Sequence, residues 1–334
     1  MTETNSTPLR ISLPSKGRLA EDALNFLSAC GLEVYKPNPR QYEAELPALP
    51  GLKVLFQRPG DIVVSVRDGS VDFGITGLDV VEERRGENGD LVVLHDALNF
   101  GGCTLNVAVP EAWADVTCMA DLAKRAASHG RALRVATKYP VLAGRFLGAH
   151  GIAHTLISAE GTLETAPAIG YADLICDVVS SGQTLRDNRL RALVDGTLLT
   201  SQAVLIANTG TLKTCPEALP MARTLLEFFE AHLRASENLA IFANMRGETP
   251  EAVAEAIFAV CTVKGLQGPT ISRVIVQNPE TNWYAVNLIV PRTQVFQTIC
   301  ELRSIGGSGV VVMPVTYIFD EEPPRYRAMV EKLK

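Results

Sequence analysis

A loop of small, hydroxyl-bearing residues near the middle of the chain is suited to hold a phosphate group. It follows an apolar run, Leu174 to Val179, in which Asp177 is the one acid. The loop residues are Ser180, Ser181, Gly182, Gln183 and Thr184. Backbone N–H groups between a strand and a following helix form a site for anions, and Asp177 can accept hydrogen bonds from sugar hydroxyls. An ordinary turn after a buried strand has the same composition, so the pattern alone leaves both interpretations open.

Two cations near the start of the chain form a second candidate for anion binding. Lys16 and Arg18 follow the apolar segment Leu9 to Leu13 and precede an amphipathic segment, Leu19 to Cys30. Near the N-terminus of a helix an anion is favoured. A solvated basic turn would have the same residues.

The elements that must position these residues alternate between strand and helix. The patterns predict strands at Val54–Gln57 and Val71–Thr76, with a helix at Ile62–Asp68 between them. Such alternation indicates a mostly parallel sheet with helices packed on it, and ligands bind beyond the carboxyl ends of its strands. Arg58 and Asp79 follow two of those ends.

The segment Phe100–Cys103, with its paired glycines, indicates either a close backbone approach at a crossover or a hinge between lobes. We predict that the chain passes to a second α/β lobe near residue 99 and returns after about residue 195. In that lobe a strand at Arg134–Thr137 leads to Tyr139, and a strand at Thr155–Ser158 leads towards Glu164. Two lobes with such crossings leave a cleft for a small ligand.

The pattern changes after a connecting helix predicted at Pro216–Ser236. The elements that follow are a strand, a helix, two strands, a helix and a strand, at Leu239–Met245, Pro250–Val260, Thr270–Val276, Trp283–Val290, Pro291–Ile305 and Gly309–Val315. This order is the ferredoxin-like unit. Because it has no dense set of catalytic side chains, we interpret it as a regulatory or assembly domain, or as one that only holds subunits together.

The composition excludes several classes of protein. The chain has 334 residues, 47% of them hydrophobic, and a net charge of −6, which is typical of a soluble globular protein. Without a long basic block it is not expected to bind nucleic acid or a membrane. Seven scattered cysteines without a CxxC pair indicate reduced thiols, and the polar N-terminal residues lack a secretory signal, so we expect a cytoplasmic protein.

Other motifs are weak or missing. His150 and His154 have the spacing of a metal-binding helix face, but Gly151 weakens a helix there and no third ligand is near in sequence. The chain has no dinucleotide fingerprint, no P-loop and no nucleophile elbow.

Six motifs in this order and spacing resemble one family, the ATP phosphoribosyltransferases of histidine biosynthesis. They are KGRL at Lys16–Leu19, VDFGITG at Val71–Gly77, FGGC at Phe100–Cys103, ATKYP at Ala136–Pro140, GTLETAP at Gly161–Pro167 and ADLICDVVSSGQTL at Ala172–Leu185. The C-terminal part is similar to the regulatory domain of the family's long form. The residues that carry this looser resemblance are Pro269–Ser272, Trp283–Val286 and Ile305–Pro314.

The resemblance implies a two-lobed α/β catalytic core like that of periplasmic binding proteins, followed by a C-terminal ferredoxin-like (βαββαβ) regulatory domain. Residues 1–98 and about 196–220 would form the first catalytic lobe, 99–195 the second lobe, and 225–334 the regulatory and assembly domain. Long-form relatives are homo-oligomers, either dimers or hexamers, so a similar assembly is expected.

The resemblance also implies a reaction. N1 of ATP would displace pyrophosphate from phosphoribosyl pyrophosphate, giving phosphoribosyl-ATP in the committed step of histidine biosynthesis, with Mg²⁺ as cofactor and histidine as feedback inhibitor. The leaving group is already good, so the protein mainly has to position two anionic substrates and stabilise pyrophosphate. No nucleophilic Ser, Cys or His is required.

Carried over by motif, the resemblance implies four groups of site residues. The catalytic residues are Lys16, Arg18 and Glu164. The phosphoribosyl donor would bind Asp177, Val179, Ser180, Ser181, Gly182, Gln183 and Thr184. ATP would bind Arg58, Asp79, Gly101, Gly102, Cys103 and Tyr139. Histidine would bind Thr270, Ser272 and Ser308, at a site between subunits.

Two alternatives belong to other classes of function. A two-lobed small-molecule receptor would share the fold, but the missing signal peptide and the phosphate loop count against it. A non-catalytic regulatory paralogue would keep the assembly domain, and the retention of Lys16, Arg18 and Glu164 counts against that hypothesis.

Overall fold

The computed structural model describes residues 8–38, 40–158, 161–262, 265–277 and 282–333. Within these residues the chain forms two compact units: one runs to Thr224 and resumes at Pro324, and the other spans Leu225–Pro323. The first unit holds a six-stranded and a five-stranded sheet, and the second holds a four-stranded sheet. The predicted α/β class is therefore confirmed. The prediction of a mostly parallel sheet is wrong for the six-stranded sheet, because three of its five strand pairings are antiparallel.

The six-stranded sheet forms the first lobe, with strand order β2-β3-β1-β4-β11-β5. Its elements are β1 (Leu9–Pro14), α1 (Arg18–Ala29), β2 (Glu43–Glu45), β3 (Leu52–Gln57), α2 (Pro59–Arg67), β4 (Phe73–Gly77), α3 (Leu78–Arg84) and β5 (Leu91–His95), and later β11. β1 is parallel to both of its neighbours. All of β4 is buried, as expected for a strand with helices on both faces of its sheet.

The five-stranded sheet forms the second lobe, with strand order β10-β6-β9-β7-β8. Its elements are β6 (Cys103–Pro110), α4 (Met119–Ser128), β7 (Leu133–Thr137), α5 (Pro140–Ala149), β8 (His154–Ser158), a 3₁₀ turn (Leu163–Thr165), β9 (Leu174–Val179), α6 (Gln183–Asp187) and β10 (Leu190–Ser201). β7 is parallel to β8 and β9, whereas β6 and β10 run antiparallel.

The chain crosses between the lobes twice. On the way out it passes through Asn99 and Gly101, whose φ angles are 61° and 66°. A Cβ atom on Gly101 would lie 2.7 Å from a methyl group of Leu19, so both the φ angle and the close approach require glycine there. On the way back, β10 stays in the second sheet to Ser201, a few residues beyond the predicted return, and β11 (Ala203–Asn208) lies in the first sheet.

The C-terminal unit has the predicted ferredoxin-like order. After α7 (Thr209–Thr214) and α8 (Ala218–Ser236) come β12 (Asn238–Arg246), α9 (Pro250–Val260), β13 (Thr270–Val274), β14 (Trp283–Pro291), a 3₁₀ turn (Arg292–Gln294), α10 (Val295–Ser304) and β15 (Ser308–Pro314). Its sheet is fully antiparallel in the order β13-β14-β12-β15, so each strand–helix–strand unit skips one strand. Leu288, Val286 and Ile241 lie in its core.

The helix predicted at Pro291–Ile305 begins later than expected. Pro291 still pairs with Asn238 as the last residue of β14, and one 3₁₀ turn precedes the helix at Val295. A proline suits a strand end as well as a first helical turn, so the sequence did not distinguish the two positions.

The last helix, α11 (Pro324–Leu333), groups with the first unit, although the sequence assigns all of 225–334 to the C-terminal domain. It packs on β5, the edge strand of the first sheet: Met329 is 3% exposed, and Arg325 contacts Asp96 at 2.9 Å. Covering an open strand edge accounts for this position. No helix in the described part of the chain is long and apolar enough to span a membrane.

Candidate active site

Three neighbouring strands of the first sheet end at one edge, and each end carries a predicted site residue. Arg58 follows β3, Lys16 and Arg18 follow β1, and Asp79 follows β4. The Ser15 N–H donates to the Gln57 carbonyl at 2.8 Å, which holds the first two segments side by side. Parallel strand order therefore places the predicted cations and Asp79 in one row.

The Lys16–Arg18 loop is open to solvent. Gly17 has a φ angle of 79° and precedes the first residue of α1. Both cations are exposed, and Arg18 lies 3.6 Å from Asp22 with 86% of its side chain exposed. An exposed ion pair of this kind contributes little to stability, so the loop keeps its positive charge available to an anion.

The second sheet brings four segments to one edge. The loop Ser180–Thr184 follows β9, and Tyr139 follows β7, which is parallel to β9. β6 is antiparallel to β9, so its first residue, Cys103, begins at the same edge beside Gly102. The last residue of β10, Ser201, pairs with Cys103. The Thr104 hydroxyl donates to the carbonyl of Val179, the half-buried last residue of β9, at 3.2 Å.

The loop after β9 has the backbone geometry that the sequence predicts. Gly182 lies in the left-handed region with a φ angle of 69°, and α6 begins at the next residue. The Gln183 N–H donates to the Ser181 hydroxyl at 3.3 Å. Arg186 in α6, a cation that the sequence reasoning missed, donates to the Ser181 carbonyl and to the Gln183 side chain. Thr184 and both serines are exposed, so their hydroxyls can reach a ligand.

Asp177 is held in an unusual electrostatic environment near this loop. Burial raises the pKa of its carboxyl group, and the charges of Glu164 and Asp79 raise it further. The Val178 N–H donates to it at 2.8 Å, and the Lys138 ammonium lies 4.0 Å away; both contacts partly offset the rise. The negative charges of Glu164 and Asp79 therefore both disfavour the ionised form of Asp177.

Glu164 belongs to the 3₁₀ turn Leu163–Thr165, which Leu163 anchors in the core with 1% exposure. The GTLETAP motif predicts a role for Glu164, and the charge of Glu164 contributes to the raised pKa of Asp177.

Asp79 joins the two lobes. Its Oδ2 accepts a hydrogen bond from the Tyr139 hydroxyl at 2.6 Å, and its Oδ1 accepts one from Ser201 at 2.6 Å. Burial, followed by the charge of Asp79, raises the pKa of Tyr139 well above its usual range, so Tyr139 remains a donor. Burial and Asp79 also raise the pKa of Cys103. With both oxygens engaged, Asp79 positions Tyr139 in this structure.

A cavity of about 540 Å³ opens at the crossing between the lobes. Its walls include Asn99, Phe100, Gly102, Cys103, Ser180 and Ser201. The sequence reasoning missed Ser201, because the long strand that carries it shows no motif. It also gave no role to Lys138, although this lysine lies inside the ATKYP motif.

The predicted histidine-binding residues lie at two edges of the C-terminal sheet. Ser272 is on β13 and Ser308 on β15, and these are opposite edge strands. Both belong to one row of the sheet, in which Ala285 and Asn244 stand between them. Three strand spacings separate the row's ends by roughly 14 Å. The structure therefore does not bring Ser308 together with Ser272 within one chain.

The described residues contain no group of three or more His, Cys, Asp or Glu side chains arranged to hold a metal ion. His150 and His154 each contact a nearby carbonyl, at 2.9 and 2.8 Å. Cys103, Cys118 and Cys176, like the other cysteines, are free thiols.

The family models and the curated relatives that match this chain all point to the same family. The model of the ATP phosphoribosyltransferase family matches residues 58–229, and the model of its C-terminal domain matches residues 235–317. The chain is 44% identical over 332 residues to ATP phosphoribosyltransferase 1, chloroplastic, from Arabidopsis thaliana, covering 97% of this chain and 81% of that protein. It is 35% identical over 327 residues to ATP phosphoribosyltransferase from Bradyrhizobium sp. (strain ORS 278), covering 96% and 97%.

Among solved structures, a chain of the ATP phosphoribosyl transferase (HisG:HisZ) complex from Thermotoga maritima aligns with a TM-score of 0.53 and 23% identity. The alignment covers 66% of this chain and 96% of that one, and it supports the fold. Two family models match in sequence, and the two relatives are matched over 81% and 97% of their lengths, so the chain belongs to the ATP phosphoribosyltransferase family.

Proposed function

We propose that this enzyme transfers the 5-phosphoribosyl group from phosphoribosyl pyrophosphate to N1 of ATP, giving phosphoribosyl-ATP and pyrophosphate, the first step of histidine biosynthesis. One observation carries the proposal: the Tyr139–Asp79 hydrogen bond joins the edge that holds the phosphate loop to the edge that holds the cations. The groups required for both substrates therefore face one cleft, where two reactants can be held in a reactive geometry.

The donor binds at the carboxyl end of β9. The backbone N–H groups after Gly182 and the hydroxyls of Ser180, Ser181 and Thr184 hold its 5-phosphate, and Asp177 accepts hydrogen bonds from the ribose. A carboxylate beside C1 also stabilises positive charge that develops on the sugar as pyrophosphate departs. Asp177 is half-buried, which raises its pKa, and an incompletely solvated charge interacts more strongly with a nearby charge than a fully exposed one.

The cations Lys16 and Arg18 stabilise the departing pyrophosphate, because their loop is exposed and positively charged. ATP binds on the side of Arg58, Tyr139 and the Gly101–Cys103 turn. In this arrangement no protein nucleophile takes part, since N1 of the adenine attacks directly.

Mg²⁺ fits this site as a partner of the substrates rather than as a resident of the protein. Magnesium is held in many enzymes by one or two carboxylates together with substrate phosphates. Asp177 and Glu164, whose charges influence one another, supply two such carboxylates. The ion would neutralise phosphate charge, while Lys16 and Arg18 orient the same groups.

Histidine inhibition requires a site on the C-terminal unit. Because Ser272 and Thr270 lie at one sheet edge and Ser308 at the other, a site that uses all three must combine two copies of the unit. We therefore propose a homo-oligomer, a dimer or a hexamer, with histidine bound between subunits. The enzyme is proposed to act in the cytoplasm; the Arabidopsis relatives are named chloroplastic.

The direct test mixes purified protein with ATP, phosphoribosyl pyrophosphate and Mg²⁺, and follows phosphoribosyl-ATP by absorbance, with pyrophosphatase present to remove product. We expect product only when both substrates are added, and less product when histidine is added. No product under these conditions would contradict the enzymatic proposal and favour a binding protein or a non-catalytic paralogue. Product insensitive to histidine would contradict the regulatory part alone.

A further inference from the structure

Three acids spaced four residues apart, Asp79, Glu83 and Glu87, each contact the second lobe at or beside α5. Asp79 accepts from Tyr139, directly before that helix. Glu87 accepts from Arg145, in the helix, at 3.3 Å. Between them, Glu83 accepts two hydrogen bonds from backbone N–H groups of α5.

The Glu83 carboxylate caps α5 from the opposite lobe. Its Oε1 accepts the Val141 N–H at 2.9 Å, and its Oε2 accepts the Leu142 N–H at 3.0 Å. These are first-turn N–H groups, which have no partner inside a helix, and the residue that precedes α5, Tyr139, provides no side-chain cap. A carboxylate at a helix N-terminus also interacts favourably with the helix dipole.

The capped end of α5 carries groups of the reaction site. Tyr139 and Lys138 directly precede Pro140, the first residue of α5. Tyr139 contacts Asp79 in the first lobe, and Lys138 lies 4.0 Å from Asp177 beside the donor loop. A displacement of the first turn of α5 would therefore shift both residues relative to the donor.

We propose that Glu83 is a positioning residue for the phosphoribosyl transfer: by capping α5 across the cleft it fixes Tyr139 and Lys138 between the two substrate-binding edges. The inference rests on the proposed function for its kinetic consequences. The cap itself is independent of the identity of the substrates.

The test compares E83Q with E82Q. Glutamine keeps the size of the side chain but loses the charge and one of the two acceptors. Glu82 is the matched control, because it lies on the same helix and its ion pair in the described part of the chain is a local one, with Arg85 at 2.8 Å. A third variant, E83D, keeps the charge on a shorter side chain.

Amide hydrogen exchange gives a readout that does not require activity. In E83Q the amides of Val141 and Leu142 are expected to exchange about tenfold faster, whereas the Ala143 amide, bonded to the Tyr139 carbonyl at 2.9 Å, serves as internal reference. In kinetics, kcat/KM for both substrates is expected to fall about tenfold in E83Q and less in E83D, with E82Q unchanged.

Unchanged exchange at Val141 and Leu142 in E83Q would overturn the cap. Faster exchange with kinetics equal to those of E82Q would overturn the positioning role. A kinetic loss in E83Q that disappears when the assay is cooled well below its unfolding transition would also overturn it, since that loss would come from stability. If the wild-type protein makes no phosphoribosyl-ATP, the proposed function fails, while the exchange experiment still tests the cap.

Discussion

The two ends of β9 carry aspartates in different electrostatic environments. At the amino end, Asp173 accepts hydrogen bonds from Arg131 at 2.7 and 2.8 Å and from Arg134 at 3.0 Å, and these partners lower its pKa. At the carboxyl end, Asp177 is half-buried, the Lys138 ammonium lies 4.0 Å from its carboxylate, and desolvation raises its pKa. Asp173 and Asp177 are four positions apart, and only Asp173 has its charge compensated by close hydrogen-bonded arginines.

The difference separates stability from function. A fully paired carboxylate strengthens the folded state and has no capacity left for a ligand. A buried, poorly compensated carboxylate destabilises the folded state, and such groups concentrate at functional sites. Ligands bind at the carboxyl edge of such a sheet, so the acid at the carboxyl end of the strand is the one expected to act in binding, and the acid at the amino end the one expected to act in stability.

The largest expected effect is the loss of activity in Asp177→Asn. The amide keeps the shape but removes the negative charge beside the sugar, so kcat/KM for phosphoribosyl pyrophosphate is expected to fall about 100-fold. Steady-state kinetics measure this change, with D195N as a control; Asp195 caps α4 through the Met119 N–H. Unchanged kinetics in D177N would contradict the placement of the donor site.

The second expected effect is a loss of stability in Asp173→Asn, by about 2 kcal/mol, because hydrogen bonds to a charged and 10% exposed carboxylate are lost. Urea unfolding measures it. The kinetics of D173N should match the wild type at a temperature where both are folded. A D173N variant as stable as the wild type would show that the two ends of β9 do not differ in this way.

The pH dependence of stability should separate the two acids. Asp173 has a lowered pKa when folded, so its contribution is present above its unfolded pKa of about 4 and is lost as the pH falls through the folded value. Asp177 has a raised pKa when folded, so its contribution to stability is present below about pH 4 and is lost as the pH rises through the folded value.

Urea unfolding between pH 3 and 7, in roughly unit steps, should therefore find D177N at least as stable as the wild type at neutral pH. In the same series, D173N should lose less stability on acidification. Parallel curves for all three proteins would contradict both assignments.

The smallest expected effect is that of Thr184→Ala. One neutral hydroxyl is removed from an exposed loop, so KM for phosphoribosyl pyrophosphate should rise about fivefold with little change in stability. Thr209→Ala is the control, because it also removes one hydroxyl but lies away from the cleft. The Thr209 hydroxyl donates to the Gly89 carbonyl at 2.8 Å. An equal rise in KM for ATP would contradict the assignment of Thr184 to the binding site for phosphoribosyl pyrophosphate.

The sequence could single out the loop Ser180–Thr184, the Lys16–Arg18 loop and Tyr139 as candidate site residues because their chemistry lies in short, continuous motifs. The first crossing between the lobes was also predictable from the sequence. The φ angle of Gly101 and the closeness of Leu19 require a glycine there, and the paired glycines are visible in the sequence. The contacts of Ser201 with Asp79 and of Glu83 with α5 were not predictable, because each joins residues 58 or more positions apart that have no shared pattern.

Several elements were missed for physical reasons. β10 is interrupted by register shifts between Ala192 and Leu199, so the alternation typical of a strand is broken. The five-residue strand β5 is too short for its apolar run to distinguish strand from helix. α11 owes its position to the open edge of β5, a tertiary feature that no local pattern reports.

The most direct test of the contrast within β9 is a calorimetric titration of phosphoribosyl pyrophosphate, with Mg²⁺, into the wild type, D173N and D177N. We expect the same Kd within about twofold for the wild type and D173N, and a Kd at least about tenfold larger for D177N. Equal affinities in the wild type and D177N, or weakened binding in D173N alone, would contradict it.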